Sequence, residues 1–324
     1  MRRETTSIGL GLAVLSAATF GTSGSFADSL MRSGWTPGGA VTTRIALAAL
    51  VLTFPALLVL RGRWAQLRRS AGAVVAYGLV AVAGCQLFFF NAVEHLSVGV
   101  ALLLEYSGTL LVVLWMWARH GQRPSRTTIA GGLVAIVGLV LVLDLTGPQR
   151  VDLTGVLWGL GAATGLATYF VVSARTDDHL PPIAMAWAGM VLGAAALGAF
   201  ALVGAIPFRV GDADVDLGGH AVSWVVPVLG VALVATVAAY TTGIAAARRL
   251  GARVSSFVGL AEVIFAILFA WLLLSQQPSG LQLVGAVVVV AGIALVRLGD
   301  RAEPAGPGAA TLEVPLAGAS PGAS

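Results

Sequence analysis

Residues 99–124 read GVALLLEYSGTLLVVLWMWARHGQRP. This is an oily run long enough to cross a lipid bilayer as a helix, followed by a turn bearing Arg119, Arg123 and Pro124. Glu105 sits in its first third. A carboxylate at the centre of a bilayer costs roughly 2.5–3.5 kcal/mol on insertion scales, so its presence calls for a reason.

The rest of the chain has the same character. Of 324 residues, 57% are hydrophobic and 10% charged, where a soluble domain carries about 25% charged residues. Apolar stretches long enough to span the membrane recur near 8–27, 38–60, 71–92, 97–118, 127–145, 153–173, 182–206, 222–245, 254–274 and 279–297. Alternating β-barrel patterning is absent, so these ten segments are expected as helices. Residues 1–7 form a short N-terminal segment, 207–221 a longer loop, and 299–324 a Pro-, Gly-, Ala- and Ser-rich tail that cannot bury enough surface to order itself.

All nineteen cationic residues are Arg. With a cytoplasmic N-terminus, fifteen of them (Arg2, Arg3, Arg61, Arg63, Arg68, Arg69, Arg119, Arg123, Arg126, Arg175, Arg248, Arg249, Arg253, Arg297 and Arg301) fall on the inner side, against Arg32, Arg150 and Arg209 outside. This positive-inside bias predicts both termini in the cytoplasm of a multi-pass cell-membrane protein, and hence an even number of spans. It also accounts for the net charge of +4 without a nucleic-acid partner. The start of the chain has some features of a signal peptide. Its removal would leave an odd number of spans, and the segment has an internal counterpart.

That counterpart belongs to a repeat. Shifted by 154 residues, 91–142 aligns with 245–296 without a gap, matching Trp117 with Trp271, Pro124 with Pro278, Gly131 with Gly285 and Gly138 with Gly292. A shift of 144 pairs the first span with the sixth, through Gly21 and Gly165, Ser29 and Ser173, and Pro37 and Pro181. Two five-helix halves follow, 8–145 and 153–297. Because five is odd, the halves cross in opposite senses, the inverted-repeat design of secondary transporters.

The stretch LAEVIFAILFAWLLLSQQPSGLQLVGAVVVVAGIALV at 260–296, its first-half copy at 105–142 and Arg44 in TTRIALAAL resemble the EamA-type transporters of the drug/metabolite transporter superfamily. The resemblance covers 8–297 and implies ten helices in two inverted halves that move small metabolites, often outward. Two positions depart from the family pattern. Val263 and Thr109 stand where the family carries prolines, which puts a proline-dependent helix break in doubt. Gln276 and Gln122 stand where it carries acids.

Both intramembrane acids fall near mid-depth. Glu105 lies about eight residues from the outer end of its span, roughly 12 Å at 1.5 Å per residue, and Glu262 about as far from the inner end of the ninth. They are offset by three residues in the repeat, which keeps them on similar faces of equivalent helices. They either face a polar cavity and contact the solute or a proton, or act as glue between helices. The charge of a carboxylate in such a cavity responds to what else occupies it. Arg44, six residues below the outer surface, either binds a substrate carboxylate, pairs with Glu105, or snorkels to the interface. Tyr169 and Tyr240, well inside apolar helices, are the next cavity candidates, ahead of Tyr106, Asn91 and Gln86, for which packing is the simpler reading. Cys85, the lone cysteine, reads as a small packing residue.

Signals for enzymes are weak. His95, His120, His179 and His220 sit at helix ends and in loops on both sides and form no metal site. GDADVDLGGH at 211–220 fails the calcium-loop pattern at Leu217 and Ser223 and reads as a solvated acidic loop. RTDDH at 175–179 reads as a wet cytoplasmic turn. Trp35, Trp64, Trp117 and Trp224 fall near span ends, as interfacial anchors do. Glycines four apart, such as Gly155 with Gly159 and Gly189 with Gly193, suit close helix packing within one chain, and a homo-oligomer stays open.

The expectation is a transporter of small metabolites such as amino acids, without metal or cofactor, working by alternating access around Glu105, Glu262, Arg44, Tyr169 and Tyr240. The rival readings are a membrane enzyme on lipid-linked substrates and a non-transporting sensor or scaffold.

Overall fold

The computed structural model describes residues 2–96, 98–121, 123–143, 152–175, 180–275 and 277–302. Gln122, Gln276, Arg150, His179 and nearly all of the expected tail fall outside them. The order is α1 (Arg2–Arg32), α2 (Pro37–Leu60), α3 (Trp64–Arg69), α4 (Ala71–Val75), a π-helical segment (Ala76–Gly84), α5 (Cys85–His95), α6 (Val98–Tyr106), α7 (Gly108–His120) and α8 (Arg126–Val142). It continues with α9 (Leu153–Ser173), α10 (Pro182–Leu202), β1 (Val215–Leu217), β2 (His220–Val222), α11 (Val225–Leu229), a second π segment (Gly230–Ala238), α12 (Ala239–Gly259), α13 (Ala261–Leu274) and α14 (Gly280–Ala302).

Local chemistry sets the helix ends. Pro37 occupies the first turn of α2, where its missing amide hydrogen is no loss, and the Thr36 hydroxyl accepts the Gly39 amide at 3.2 Å. Ser125 caps α8 through the Thr128 amide at 3.1 Å. Asp152 caps α9 by accepting the amides of Thr154 (2.7 Å) and Gly155 (3.2 Å), and these bonds hold its carboxyl below the usual carboxylate range. At the end of α7, Gly121 turns the chain with φ 66°; its repeat counterpart after α13 is Ser275, at φ 57°.

Eight helical stretches among the described residues are long and apolar enough to cross a membrane, and two shorter apolar helices, Arg126–Val142 and Ala261–Leu274, accompany them. Ten separate segments were expected, and the difference has a local cause. Val225–Gly259 is one stretch by hydrogen bonding, yet Gly251, at φ 80°, turns the chain inside it. Two helices meet at that turn, and the part of the expected ninth span before Ala261 follows it. α14 runs on to Ala302, past the expected start of the tail.

The proline-dependent break questioned from sequence is present without proline. The fourth stretch is interrupted at Ser107, between α6 and α7, and its counterpart at Leu260, between α12 and α13. The Ser107 hydroxyl donates to the Leu104 carbonyl at 2.5 Å and that of Thr109 to the Tyr106 carbonyl at 2.9 Å. Hydroxyls thus take up carbonyls at the interruption, as buried backbone requires. The two π segments also coincide under the 154-residue shift, Ala76 falling on Gly230 and Gly84 on Ala238.

Packing follows the same register. α1 packs on α12, α13 and the second π segment, while α9 packs on α5, α6, α7 and the first; α2 packs on α10. α8 and α14 run antiparallel at backbone contact. A Cβ on Gly131 would meet the Val296 nitrogen at 2.5 Å, and one on Gly285 the Val142 nitrogen at the same distance. Gly138 faces Val289 and Gly292 faces Ala135 in the same way. Each contact maps onto its partner when the halves are exchanged.

Two expectations need revision. The acidic segment keeps Asp212, Asp214 and Asp216 exposed, as expected, but part of it is a β-hairpin, with Val215 paired to Val222 and Leu217 to His220 across Gly218 and Gly219, both at positive φ. Val215 is buried with Leu30, Trp35, Ala40 and Val228, and the Gly218 amide donates to the Leu273 carbonyl at 2.6 Å, closing the end of α13. Trp35 is buried against Trp224 at 5.9 Å between rings, an internal contact rather than an interfacial anchor.

Candidate functional site

All five residues singled out from the sequence line one cavity of about 490 Å³ between the two halves. Glu105 comes from α6, Glu262 from α13, Arg44 from α2, Tyr169 from α9 and Tyr240 from α12. The wall nearest them is α1, through Ser16, Phe20, Ser23 and Gly24. At Gly24 a Cβ would meet nothing within 4 Å, whereas at Gly21 it would strike Phe265 of α13 at 2.6 Å. One glycine leaves room in the cavity and the other seals its wall.

The acids sit on opposite sides of the same interruption. Glu105 lies two residues before Ser107, at the carbonyl end of α6. Glu262 lies two residues after Leu260, in the first turn of α13, where free amides favour a negative charge. Both are half-buried, their exposed parts facing the cavity. The Cys85 thiol donates to Glu105 Oε1 at 3.3 Å and lies 3.4 Å from the Ala162 carbonyl. The Tyr106 side chain lies beside the Glu262 carboxylate.

Arg44 does not snorkel. Its side chain is buried, and Nη1 donates to the Ser23 hydroxyl at 2.7 Å. It lies beside the Tyr240 hydroxyl and within electrostatic reach of both acids. Asp28, which lines the cavity, pairs with Arg32 at 2.9 Å, whereas no ion pair joins Arg44 to Glu105. Two acids and a guanidinium held apart in this way leave room for a solute carrying both charge signs.

The floor is aromatic. Phe20 packs edge-on to Tyr240 at 4.9 Å, and Tyr169 packs edge-on to Tyr240 at 5.6 Å. The Tyr169 hydroxyl nests against Gly243, where a Cβ would collide with it. The cavity opens past Asp28 beside Met31 and Pro37, which line it and are exposed. Asn91 turns to its own helix, its amide donating to the Leu87 carbonyl at 2.7 Å.

Sequence reasoning missed Cys85 as a partner of Glu105, and Asp28 and Ser23 as lining residues. Ser23 had a signal available, lying between two glycines spaced three apart on one helix face. Cys85 had none, since a small apolar side chain does not reveal which face it occupies. No group of three or more metal-ligating side chains is present among the described residues.

Comparisons with known proteins agree with this architecture. The EamA-like transporter family matches residues 7–144 and 153–298. The threonine/homoserine exporter RhtA of Salmonella typhimurium (strain SL1344) is 27% identical over 269 residues, 82% of this chain and 83% of that protein. The protein of the same name from Escherichia coli (strain K12) is 27% identical over 256 residues, 78% and 79% of the two chains. A solved crystal structure, 22% identical, aligns with a TM-score of 0.72 over 94% of this chain and 100% of that one, which establishes the shared fold.

Proposed function

The chain belongs to the EamA-like transporter family, a family of membrane transporters and not of enzymes, and from that premise we propose that it exports small amino compounds by alternating access. The solute's ammonium group sits between Glu105 and Glu262 and its carboxylate meets Arg44, with Tyr169 and Tyr240 beneath. The observation that carries this reading is the convergence of these five residues on one cavity. The relatives named as threonine/homoserine exporters support the substrate class.

The proposal includes ten crossings in two inverted halves, 8–145 and 153–297, with both termini in the cytoplasm. The split family match, the coincident π segments and the antiparallel contacts of α8 with α14 support it. On this reading the mouth beside Asp28 faces outward, and rocking one half against the other moves the opening to the inner face.

Purified protein in proteoliposomes preloaded with L-homoserine or L-threonine should take up labelled homoserine by counterflow. Lipid turnover without flux of any amino compound would overturn the reading, as would termini mapped to opposite sides of the membrane.

A further inference from the structure

Beyond the aromatic floor, away from the open mouth, lies a column of buried polar atoms without hydrogen-bond partners among the described residues. Tyr169 Oη stands at its top, on the cavity wall. Next is Tyr77, fully buried, its ring 5.9 Å from that of Tyr169 and 6.4 Å from that of Tyr240. The Tyr77 hydroxyl lies near the Ser173 hydroxyl, which is 0% exposed, yet neither makes a hydrogen bond. Arg248 is within electrostatic reach of Tyr77, and its Nε is likewise without a partner. Beside Arg248 a void of about 10 Å³ is walled by Ser70, Val172, Arg175 and Leu180. Buried polar groups without partners are avoided almost everywhere in folded proteins, and here several follow one another from the cavity to the far face.

The repeat points to the same place independently. The 154-residue shift carries Tyr77 onto Val231, which lines the open cavity. The 144-residue shift carries Val172 and Arg175 of the small void onto Asp28 and Met31 of the open mouth. It also carries Pro181, next to Leu180, onto Pro37 at that mouth. The small void is therefore the counterpart of the mouth, in its shut form.

We infer that Tyr77, Ser173 and Arg248 form the closed second half of the solute path, with the Tyr77 ring as its gate. In this structure the ring is seated on Gly189 of α10, where a Cβ would collide with it. When the gate opens, the ring leaves that seat, the orphaned hydroxyls and the guanidinium become wet, and the cavity drains toward the face bearing Arg175. This role rests on the transporter reading above.

Ser173→Cys in a Cys85→Ala background tests it, with Tyr77→Cys as a second position. A membrane-impermeant methanethiosulfonate is applied to reconstituted protein from the side on which Arg175→Cys reacts. Ser173→Cys should react to completion, but about tenfold or more slower than the exposed Arg175→Cys. Adding Tyr77→Phe, which removes an unpaired hydroxyl from the shut state, should slow the reaction about fivefold, and adding Gly189→Ala, which unseats the ring, should speed it. If neither buried cysteine reacts while Arg175→Cys saturates, the gate assignment is overturned, whether or not homoserine flux is present. Absence of homoserine flux in the protein with Cys85 intact would strike the transport reading, and the path would fall with it.

Discussion

The two halves interrupt equivalent helices at equivalent places and then use the interruption differently. In the first, Glu105 ends α6, where carbonyls point outward, and receives a thiol from Cys85. In the second, Glu262 begins α13, where amides point outward, and has the Tyr106 phenol beside it. A duplicated backbone has thus placed two acids in one cavity with unequal support. Each half contributes an acid, but only Glu262 gains from the helix end beside it.

The largest effect should come from removing either acid. Glu105→Gln and Glu262→Gln should each lower homoserine counterflow tenfold or more, since a charge-assisted contact to the solute contributes about 1.5–3 kcal/mol. Both proteins should still fold, as judged by thermal unfolding in detergent. Normal flux in both would end the proposed role of the carboxylates.

Gly24→Leu follows, because a Cβ there has nothing within 4 Å and a larger side chain would extend into the cavity that Gly24 lines. Flux should be lost with thermal stability kept. Gly138→Leu should do the reverse, forcing α8 off α14 at a cost of about 1–3 kcal/mol or more. If both substitutions act on stability alone, the space beside Gly24 is not part of the solute path.

The unequal support can be measured directly. A phenol is a stronger donor than a thiol, so Tyr106→Phe should reduce flux more than Cys85→Ala. Equal losses would erase the distinction between the two acids.

The smallest expected difference is at the paired turns. Gly121→Ala places a side chain on a left-handed residue and should cost about 1 kcal/mol in thermal unfolding. Ser275→Gly should change stability by less than that, because relief of strain is offset by the greater freedom of an unfolded glycine.

These contrasts also mark what the sequence revealed. Oily runs, arginine placement and the 154-residue register follow from bulk physical rules, and they led to a helical membrane protein and to the residues that meet in the cavity. Charged groups in hydrocarbon stand out because their cost is high. The interruptions did not stand out, since neither carries a proline; in the first, hydroxyls of Ser107 and Thr109 take up the carbonyls. The π segments have no compositional mark, since any apolar stretch can take an extra residue per turn. The hairpin was legible in principle, as Gly218 and Gly219 separate two short β-forming runs, but three acids in ten residues suggested a wet loop. Tyr77 carries no mark in the sequence, and only its neighbours in the structure give it a role.

The backbone contacts between α8 and α14 carry a practical consequence. Since four of the close approaches there form two matched pairs, Gly131 with Gly285 and Gly138 with Gly292, a substitution at one leaves its twin as a built-in control. Lesions made one at a time and then together would separate what each half tolerates alone from what the molecule requires of both.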